Sequence, residues 1–294
     1  MNDRLAAPPV SPDVARSIDG GAHRDRWTLD WLRPGKRPIK TDPGSIVHVV
    51  DGFVSVECRD YRLRLPAGTT FICPPDETPR LTAFPGWSPQ LLHIARRGRS
   101  NSASDPCAPT RFGIVPGVVF DDVHVEGAMS AVVLALSDCN TADLELEVAV
   151  RRATAALLAG QRRSRHLARH CSGRTRERRV EQYSRLARAR AVLAWGDDPS
   201  IEVPRVAAIA HMSTSHFMAK FQRVFGCAPH QYRIERRMGQ ARRLLLDTTW
   251  STMQIVHCIG IESTAAFARM FLRHFGLPLS TLRRGAPANE LRGE

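Results

Sequence analysis

The sequence has no apolar run long enough to cross a membrane. Its longest apolar run is Ala131–Leu136, whereas a membrane-spanning helix needs about 20 residues. The first residues, which include Pro8 and Pro9, also lack the apolar segment that a signal peptide requires. We therefore expect a soluble, cytoplasmic protein that does not have a membrane as its partner.

Paired cysteines are also absent from the sequence. The seven cysteines are odd in number, and no two have the spacing of a C-x-x-C motif. A disulfide framework and a structural zinc site are therefore not expected. No cysteine lies in a recognisable catalytic or redox context, so we expect ordinary thiols at Cys58, Cys73, Cys107, Cys139, Cys171, Cys227 and Cys258.

Acidic residues are scarce in the second half of the chain. Residues 1–150 have a net charge of −3, whereas residues 151–294 have a net charge of +16. Such a basic excess attracts polyanions, because neutralising phosphates releases condensed counterions. Composition therefore favours nucleic acid or an anionic membrane surface as a partner, and a merely solvated charged face is the alternative. The length of 294 residues favours two domains.

The first half of the chain has the pattern of a β domain. After a flexible tail predicted over residues 1–26, β-branched runs flank Asp51-Gly52, which is typical of a β-hairpin. Further turns are indicated at Pro66-Ala67-Gly68 and at Pro74-Pro75. Short strands at this spacing predict an all-β sandwich or barrel over about residues 27–125.

Two helices are expected to complete this first domain, which we assign to residues 27–160. The segments Met129–Leu136 and Thr141–Ala159 are rich in alanine and poor in glycine, which favours helix. Apolar residues from Leu144 to Val150 alternate as in a strand, yet the length of the segment and its lack of turn residues favour helix.

A basic segment connects the two halves of the chain. Residues 161–180 contain eight arginines and one acidic residue. We expect a solvated interdomain linker there, and an added phosphate contact is the alternative. The second domain is assigned to residues 181–285, followed by a tail over residues 286–294.

The C-terminal third contains an internal repeat. Ser213–Gly226 aligns with Ser263–Gly276 at an offset of 50, with seven of fourteen positions identical. Each copy has Phe at every fourth position, which places three rings on one face of a helix. The first serine and the last glycine predict an N-cap and a left-handed C-terminal residue. Each copy is therefore predicted to be a capped amphipathic helix.

A shorter apolar helix precedes each copy of the repeat. These helices are predicted over Val203–Ala210 and Thr252–Ile259, with three-residue turns at His211–Ser213 and Gly260–Glu262. Two helices joined by so short a turn match the helix-turn-helix pattern, whose second helix enters the major groove. A helical hairpin used only for packing is the alternative, which the second copy and the basic charge disfavour.

These motifs resemble the DNA-binding region of the AraC/XylS family of bacterial transcription regulators. The resemblance covers about residues 181–284 and rests on the two repeat copies, Arg205–Ala210, Phe225–Tyr232 and Arg237–Leu245. It implies two tandem helix-turn-helix units, joined by one helix and inserted into successive major-groove segments on one face of the duplex.

The second helix-turn-helix unit departs from the family pattern at several positions. Ile261 stands where an aromatic residue is usual, and Val256-His257-Cys258 replaces the usual small residues. Leu279 and Leu282 occupy the positions that Pro229 and Tyr232 hold in the first unit. The resemblance therefore implies the fold of the second unit more firmly than its mode of recognition.

Candidate DNA contacts lie on the face of each capped helix opposite the Phe face, as follows from a step of 100° per residue. The resemblance implies base contacts from these outward positions. The candidates are Ser215, His216, Met218, Ala219, Gln222, Arg223, Ala265, Ala268, Arg269 and Arg273. Gln222 suits adenine and Arg269 suits guanine, whereas the alanines and Met218 offer only apolar contact. The residues assigned to phosphates, with solvation or intrahelical ion pairs as the alternative, are Arg223, Arg273, Arg233, Arg236, Arg283 and Arg284.

The first domain is similar to the cupin-type effector or dimerisation domain of many family members. Its turns after Val50 and Leu65 carry this second resemblance. His48, His93 and His124 are isolated from one another in the sequence, so no metal-ligand set and no cofactor is expected. An apolar ligand pocket inside the barrel is possible but has no assigned residues.

The expected fold class is α+β, with an N-terminal β-rich cupin-like domain followed by an all-α domain of two tandem helix-turn-helix units. We expect a sequence-specific DNA-binding transcription regulator, an activator that responds to an unidentified effector, and not an enzyme. Its expected partners are double-stranded DNA, RNA polymerase, a small-molecule or protein effector and a second copy of the chain. The alternatives are a non-specific architectural nucleic-acid-binding protein and a cupin enzyme with a DNA-binding appendage.

Overall fold

The computed structural model describes the chain over residues 16–20, 25–74, 77–83, 88–97, 116–120, 122–138, 140–198, 200–247 and 250–283. The chain divides into two compact units, Met1–Ala191 and Val192–Glu294. The first is rich in strands and the second is helical, so the fold is a mixed one, with a β-rich N-terminal region and a helical C-terminal domain. The finer domain boundaries given above stay a prediction.

The first unit contains two antiparallel sheets. Their strands are β1 Arg16–Gly20, β2 Asp25–Leu32, β3 Ile39–Lys40, β4 Ile46–Asp51, β5 Phe53–Glu57, β6 Arg62–Pro66, β7 Thr70–Ile72, β8 Arg80–Ala83, β9 Gln90–Arg97 and β10 Gly117–Val119. One sheet has the order β1-β2-β9-β4-β7-β10, and the other has the order β3-β8-β5-β6. In the second sheet Val54, Val56, Leu63 and Leu65 are fully buried on one face, as a half-buried sheet with a period of two requires.

The Asp51-Gly52 turn joins the two sheets and does not close a hairpin. Gly52 has a φ of 75°, as a tight turn needs, but β4 lies in one sheet and β5 in the other. Both edges of β4 are occupied, since it pairs with β7 and with β9. The predicted hairpin is therefore wrong, and β5 pairs with β6 instead, in register from Phe53↔Pro66 to Glu57↔Arg62.

Two helices pack against the six-stranded sheet. They are α1, Val123–Ser137, and α2, Asp143–Ala168. Leu146 and Val150 are buried, whereas Leu144 and Val148 are exposed, so the pattern of burial has the spacing of a helix. The core that they share with the sheet includes Leu29, Ile46, Ile72, Leu92, Ile94, Val125, Met129, Val132, Leu146, Val150 and Leu157. The predicted helices are confirmed.

Two segments predicted as unstructured connections are partly regular. The tail prediction is wrong for Arg16–Gly20, because this segment pairs with β2 as the strand β1. The linker prediction over 161–180 is also wrong in part, because α2 continues to Ala168 and helix α3, Arg176–Trp195, begins within the segment. Composition indicates solvation there, but it does not register the hydrogen bonds that order the turn between the helices. The tail prediction is also wrong for Asp25 and Arg26, which belong to β2, and the remaining residues of the predicted tails lie outside the described residues.

The second unit is a set of helices that follow α3. They are α4 Val203–Ile209, α5 Thr214–Phe225, α6 Pro229–Asp247, α7 Thr252–Cys258, α8 Thr264–Phe275 and α9 Leu279–Arg283. The helices α5 and α8 correspond to the two repeat copies, and α6 joins them along the chain. Within the described residues, no helix is long and apolar enough to span a membrane.

Candidate nucleic-acid interface

A row of aromatic rings packs the helix α5 against the rest of the second unit. Phe217 and Phe221 are fully buried, and the ring centroids of Phe217–Phe221 and Phe221–Phe225 are 5.4 and 4.6 Å apart. Tyr232 on α6 contacts Phe221 edge-on at 5.6 Å. Gly226 ends the helix with a φ of 81°, as predicted. The packing of the rings therefore leaves the opposite face of α5 for other contacts.

The helix α8 repeats this arrangement closely. Phe267 and Phe271 are fully buried, and the centroids along Phe267–Phe271–Phe275 are 5.5 and 4.6 Å apart. Leu282 stands where the first repeat has Tyr232, and the rings and cations beside Phe275 differ accordingly. The His274 ring contacts Phe275 edge-on at 4.6 Å, and the Arg242 guanidinium lies 5.9 Å from the Phe275 centroid. The side chain of Ser263 accepts a hydrogen bond from the Ala266 amide at 3.1 Å, whereas Ser213 makes no such bond.

The outer face of α5 is accessible along its length. Its exposed side chains include all six of the candidates predicted for this helix, Ser215, His216, Met218, Ala219, Gln222 and Arg223. Met218 is 46% exposed, which is unusual for a large apolar side chain in a capped and packed helix. The structure brings these six residues together on one accessible surface.

The outer face of α8 is equally accessible but less polar. Ala265, Ala268, Arg269 and Arg273 are exposed, as the helix geometry predicts. Leu272 is also 49% exposed, beside Arg269 and Arg273 in the sequence. The candidate list omits Leu272, although a step of 100° per residue places it on the outer face. The outer face of α8 thus combines small apolar side chains with two cations.

The turns before α5 and α8 differ by one residue. The Met212 amide donates to the Ala207 carbonyl and the Ile261 amide to the Val256 carbonyl, both at 3.0 Å, so these two residues are equivalent. Ser213 follows Met212 directly, whereas Glu262 lies between Ile261 and Ser263. The prediction of two equal three-residue turns is therefore wrong. Both turns need a left-handed residue, which is His211 with a φ of 54° and Gly260 with a φ of 68°.

Two arginines of α6 hold the loop that leads into α4. Arg233 donates from Nη1 to the Ile201 carbonyl at 2.8 Å. Burial and, to a smaller extent, the neighbouring Arg233 lower the pKa of Arg237 to about 10, while Asp198 opposes this shift. A hydrogen bond from the Ser200 hydroxyl lowers the pKa of the Asp198 carboxyl. These contacts fix the start of α4 to α6.

The arginines assigned to phosphates therefore divide into groups. Arg223 and Arg273 are exposed at the ends of α5 and α8. Arg233 is occupied by the Ile201 carbonyl, and the Arg236 guanidinium lies 5.7 Å from the Tyr232 ring centroid. These two side chains support the packing of α6, which sequence periodicity alone does not indicate. Arg284 and the side chain of Arg283 lie outside the described residues.

The first unit contains a cavity of about 500 Å³ at one edge of its four-stranded sheet. Its lining is mostly charged and polar, and it consists of Lys40, Pro43, Glu57, Cys58, Arg59, Glu77, Thr78 and Arg80. Glu77 is 9% exposed and accepts a hydrogen bond from the Arg59 amide at 3.3 Å. No sequence motif indicates this cavity, because its residues come from separate strands and loops.

The histidines of the first unit do not form a metal centre within the described residues. His48 is buried, which lowers its pKa to about 4, and its Nδ1 lies 3.0 Å from the Thr70 hydroxyl. The Nδ1 of His93 lies 3.6 Å from Asp30. His124 is exposed on α1. No group of three or more His, Cys, Asp or Glu residues suited to a metal ion occurs in the part of the chain that the structure describes.

Comparison with known proteins identifies the class of the helical region. Residues 206–285 match the family model described as a helix-turn-helix domain. Together with the relatives given below, this match shows that the C-terminal region is a helix-turn-helix domain of the AraC type.

The matched relatives are regulators of transcription by name. The HTH-type transcriptional regulator GbdR of Pseudomonas aeruginosa strain UCBPP-PA14 is 28% identical over 90 residues, which are 31% of this chain and 24% of that protein. The transcriptional activator AggR of Escherichia coli is 42% identical over 48 residues, 16% of this chain and 18% of that protein. The match thus spans about a quarter or less of the length of these relatives.

Among solved structures, the DNA-binding domain of AdpA in complex with a target DNA is similar to the same region. It is 28% identical, and the match covers 38% of this chain and 98% of that domain with a TM-score of 0.33.

Proposed function

We propose that this protein is a sequence-specific DNA-binding transcription regulator that uses two tandem helix-turn-helix units. The observation that carries the proposal is that one structural motif occurs twice, in α5 and in α8. In each, a capped helix packs three rings on one face and exposes the opposite face. A helix held in this way enters a major groove without rearranging its own core. The AraC-type domain match supports the same assignment.

The exposed faces of the two helices supply different reading chemistry. Gln222 on α5 suits a bidentate contact to adenine, and Arg269 on α8 suits guanine. Met218, Ala219, Ala265 and Ala268 offer apolar contacts, for example to a thymine methyl group. The remaining candidates on α5, Ser215 and His216, complete its polar face. Arg223 and Arg273, at the last turns of their helices, are assigned to phosphates, which position the protein without reading sequence.

The helix α6 sets the distance between the two helix-turn-helix units. Its 19 residues correspond to a length of about 28 Å at 1.5 Å per residue. This is of the same order as the repeat of about 34 Å between major-groove segments on one face of a duplex. One chain would then read an asymmetric site of two groove segments about one turn apart.

The first unit is assigned the role of a cupin-like effector or dimerisation domain. Its two antiparallel sheets support this role, and the charged and polar lining of the cavity beside Glu77 suits a small polar ligand. Activation through RNA polymerase is the mode that we propose, since relatives such as AggR are called activators.

Selection of bound fragments from a random DNA pool tests the proposal most directly. The full chain should enrich one asymmetric motif, and footprinting should then protect two groove segments about one turn apart. Arg205, which is exposed on α4 and is not assigned to base reading, provides a control variant whose selected motif should be unchanged. Recovery of fragments without any shared motif would contradict sequence-specific binding. It would favour a non-specific architectural protein, because the basic excess alone is enough for binding that does not depend on sequence.

A further inference from the structure

The greatest density of positive charge in this protein lies outside the two helix-turn-helix units. Residues 161–180 have a net charge of +7, whereas the 105 residues from 181 to 285 have a net charge of only +8. We call residues 161–180, the end of α2 and the start of α3, the arginine corner. Its eight cations are all arginine, and the residues that carry them are Arg162, Arg163, Arg165, Arg169, Arg174, Arg176, Arg178 and Arg179.

Hydrogen bonds hold the arginine corner in one conformation. The Tyr183 hydroxyl on α3 donates to the Ser164 hydroxyl on α2 at 3.0 Å, and Tyr183 is only 2% exposed. The Ser172 amide and hydroxyl both donate to the Gln182 side-chain oxygen, at 2.8 and 3.2 Å. The Thr175 hydroxyl accepts from the Arg178 amide at 3.3 Å, which caps α3. The corner is therefore a built helical hairpin and not a loose tether.

Five of the eight arginine side chains of the corner are exposed, and Glu177 is the one acidic residue of the segment. Arg162, Arg169, Arg174, Arg176 and Arg178 are all exposed, and the structure records no ion pair for any of them among the described residues. By contrast, Arg151 pairs with Glu147 and Arg185 pairs with Glu181, immediately outside the corner.

The arginines at the start of α3 destabilise that helix through its dipole. Arg176, Arg178 and Arg179 occupy the first turn of α3, where the positive end of the helix dipole disfavours cations. The single acidic residue of this turn, Glu177, leaves it with a net charge of +2. An anion at the corner would offset both the repulsion between the guanidinium groups and the unfavourable dipole interaction.

We propose that the arginine corner binds the phosphate backbone of DNA that flanks the site read by α5 and α8. The proposal rests on the proposed function, and it extends the DNA contact from the second unit to the first. Arginine favours this partner, since its planar guanidinium donates two parallel hydrogen bonds to a phosphate. Arg162 lies on α2, and Arg169 is the C-cap residue that follows it with helical backbone angles. The two are seven residues apart and therefore lie on one face, where both can contact one phosphate backbone.

An anionic membrane fits the corner less well. Interfacial helices insert exposed large apolar side chains beside their cations. Among the described residues, the large apolar side chains that are exposed lie elsewhere, at Val123, Leu134, Leu144, Val148, Met218, Leu246, Met253 and Leu272. The corner therefore has the charge of a membrane-binding segment without its apolar component.

The test compares two triple variants of the full chain on two duplexes. The corner variant is Arg162→Gln, Arg169→Gln and Arg176→Gln, and the control variant is Lys36→Gln, Arg37→Gln and Arg152→Gln. The control removes the same charge from exposed positions of the same unit. One duplex of about 20 base pairs carries only the selected site, and the other extends it by about 10 base pairs of scrambled sequence on each side.

The wild-type chain and the control variant should bind the longer duplex at least about tenfold more tightly at 0.1 M salt. The corner variant should lose this preference. Its slope of log affinity against log salt on the longer duplex should fall by about 0.9 for each contact removed, and thus by up to about 3. Its affinity for the short duplex and its thermal melting should match those of the control.

Equal affinities of the corner and control variants on the longer duplex would overturn the proposal. If the wild-type chain also failed to prefer the selected site over a scrambled one, the proposed function would fail instead, so the two failures are distinguishable. Binding to vesicles of phosphatidylserine and phosphatidylcholine that depends on the corner, together with unchanged binding to the longer duplex, would assign the corner to a membrane surface.

Discussion

Replacing Phe271 by alanine tests whether the aromatic rows are packing or DNA-stacking elements. The ring is fully buried and lies between two others, with centroids 5.5 and 4.6 Å away. Loss of such a side chain costs about 3–5 kcal/mol, through lost transfer free energy and the cavity that remains. The whole stability of a domain is about 5–15 kcal/mol, so the second unit should lose about a fifth of it or more.

Thermal unfolding of the full chain, followed by circular dichroism of the helical transition, measures this effect. For a unit of about 100 residues, 1 kcal/mol shifts the melting temperature by about 4–8 °C, so Phe271→Ala should lower it by at least about 12 °C. Leu272→Ala is the matched control, because Leu272 adjoins Phe271 on the same helix but is half exposed. Its effect should stay below about 1 kcal/mol.

A different result would refute the packing assignment. If Phe271→Ala melted at the wild-type temperature but no longer bound DNA, the ring would have to contact the bases and not the core. The outer face of α8 would then be misassigned, and Arg269 would have to lie away from the groove.

Three further predictions concern single positions. Arg269→Ala should cost about 1–3 kcal/mol of binding free energy on the selected site and relax the preference at one base pair. Arg273→Ala should instead weaken binding to all sequences alike and lower the slope of log affinity against log salt by about one. Competition titrations on selected and scrambled duplexes check this, and an equal loss of affinity by both variants on every sequence would make Arg269 a phosphate contact. Tyr232→Phe should stabilise the second unit by about 1 kcal/mol in chemical denaturation, because the buried Tyr232 hydroxyl has no hydrogen-bond partner within the described structure, and a destabilised variant would contradict this. Gly260→Ala should destabilise the second unit by about 1–2 kcal/mol, because a side chain is strained at a φ of 68°. The control is His211→Ala, which should change the stability little because His211 already has a side chain at a φ of 54°. An equally small effect of Gly260→Ala would show that the turn relaxes.

Local features of this fold are readable from the sequence, because neighbouring residues decide them. Ser263 and Gly276 bound α8 as predicted, since a cap and a left-handed glycine act within a few residues. The burial of Phe217 and Phe221 and the exposure of Gln222 follow from helix periodicity alone. The accessible faces of the candidate site were therefore predictable residue by residue, including Leu272, which helix geometry places on the outer face although the candidate list omits it.

Features that depend on distant residues were not readable in this way. The chemistry of Asp51-Gly52 specifies a turn, but the partners of β4 come from strands that follow later in the chain. The order in the arginine corner depends on Tyr183 and Gln182, which lie beyond the segment whose composition indicates a linker. Arg233 is another such case, because its acceptor is a backbone carbonyl 32 residues earlier.

The unlike outer faces of α5 and α8 give the chain a direction on DNA. Beside Met218, Ala219 and Arg223, the face of α5 has an amide, a hydroxyl and an imidazole, whereas the face of α8 has alanines, a leucine and two arginines. On the proposed function, a binding site and its inverted copy would therefore be bound in opposite directions along the same promoter. Inverting a selected site upstream of a reporter gene should preserve binding while turning the protein around, so that regulation becomes sensitive to orientation as well as to distance.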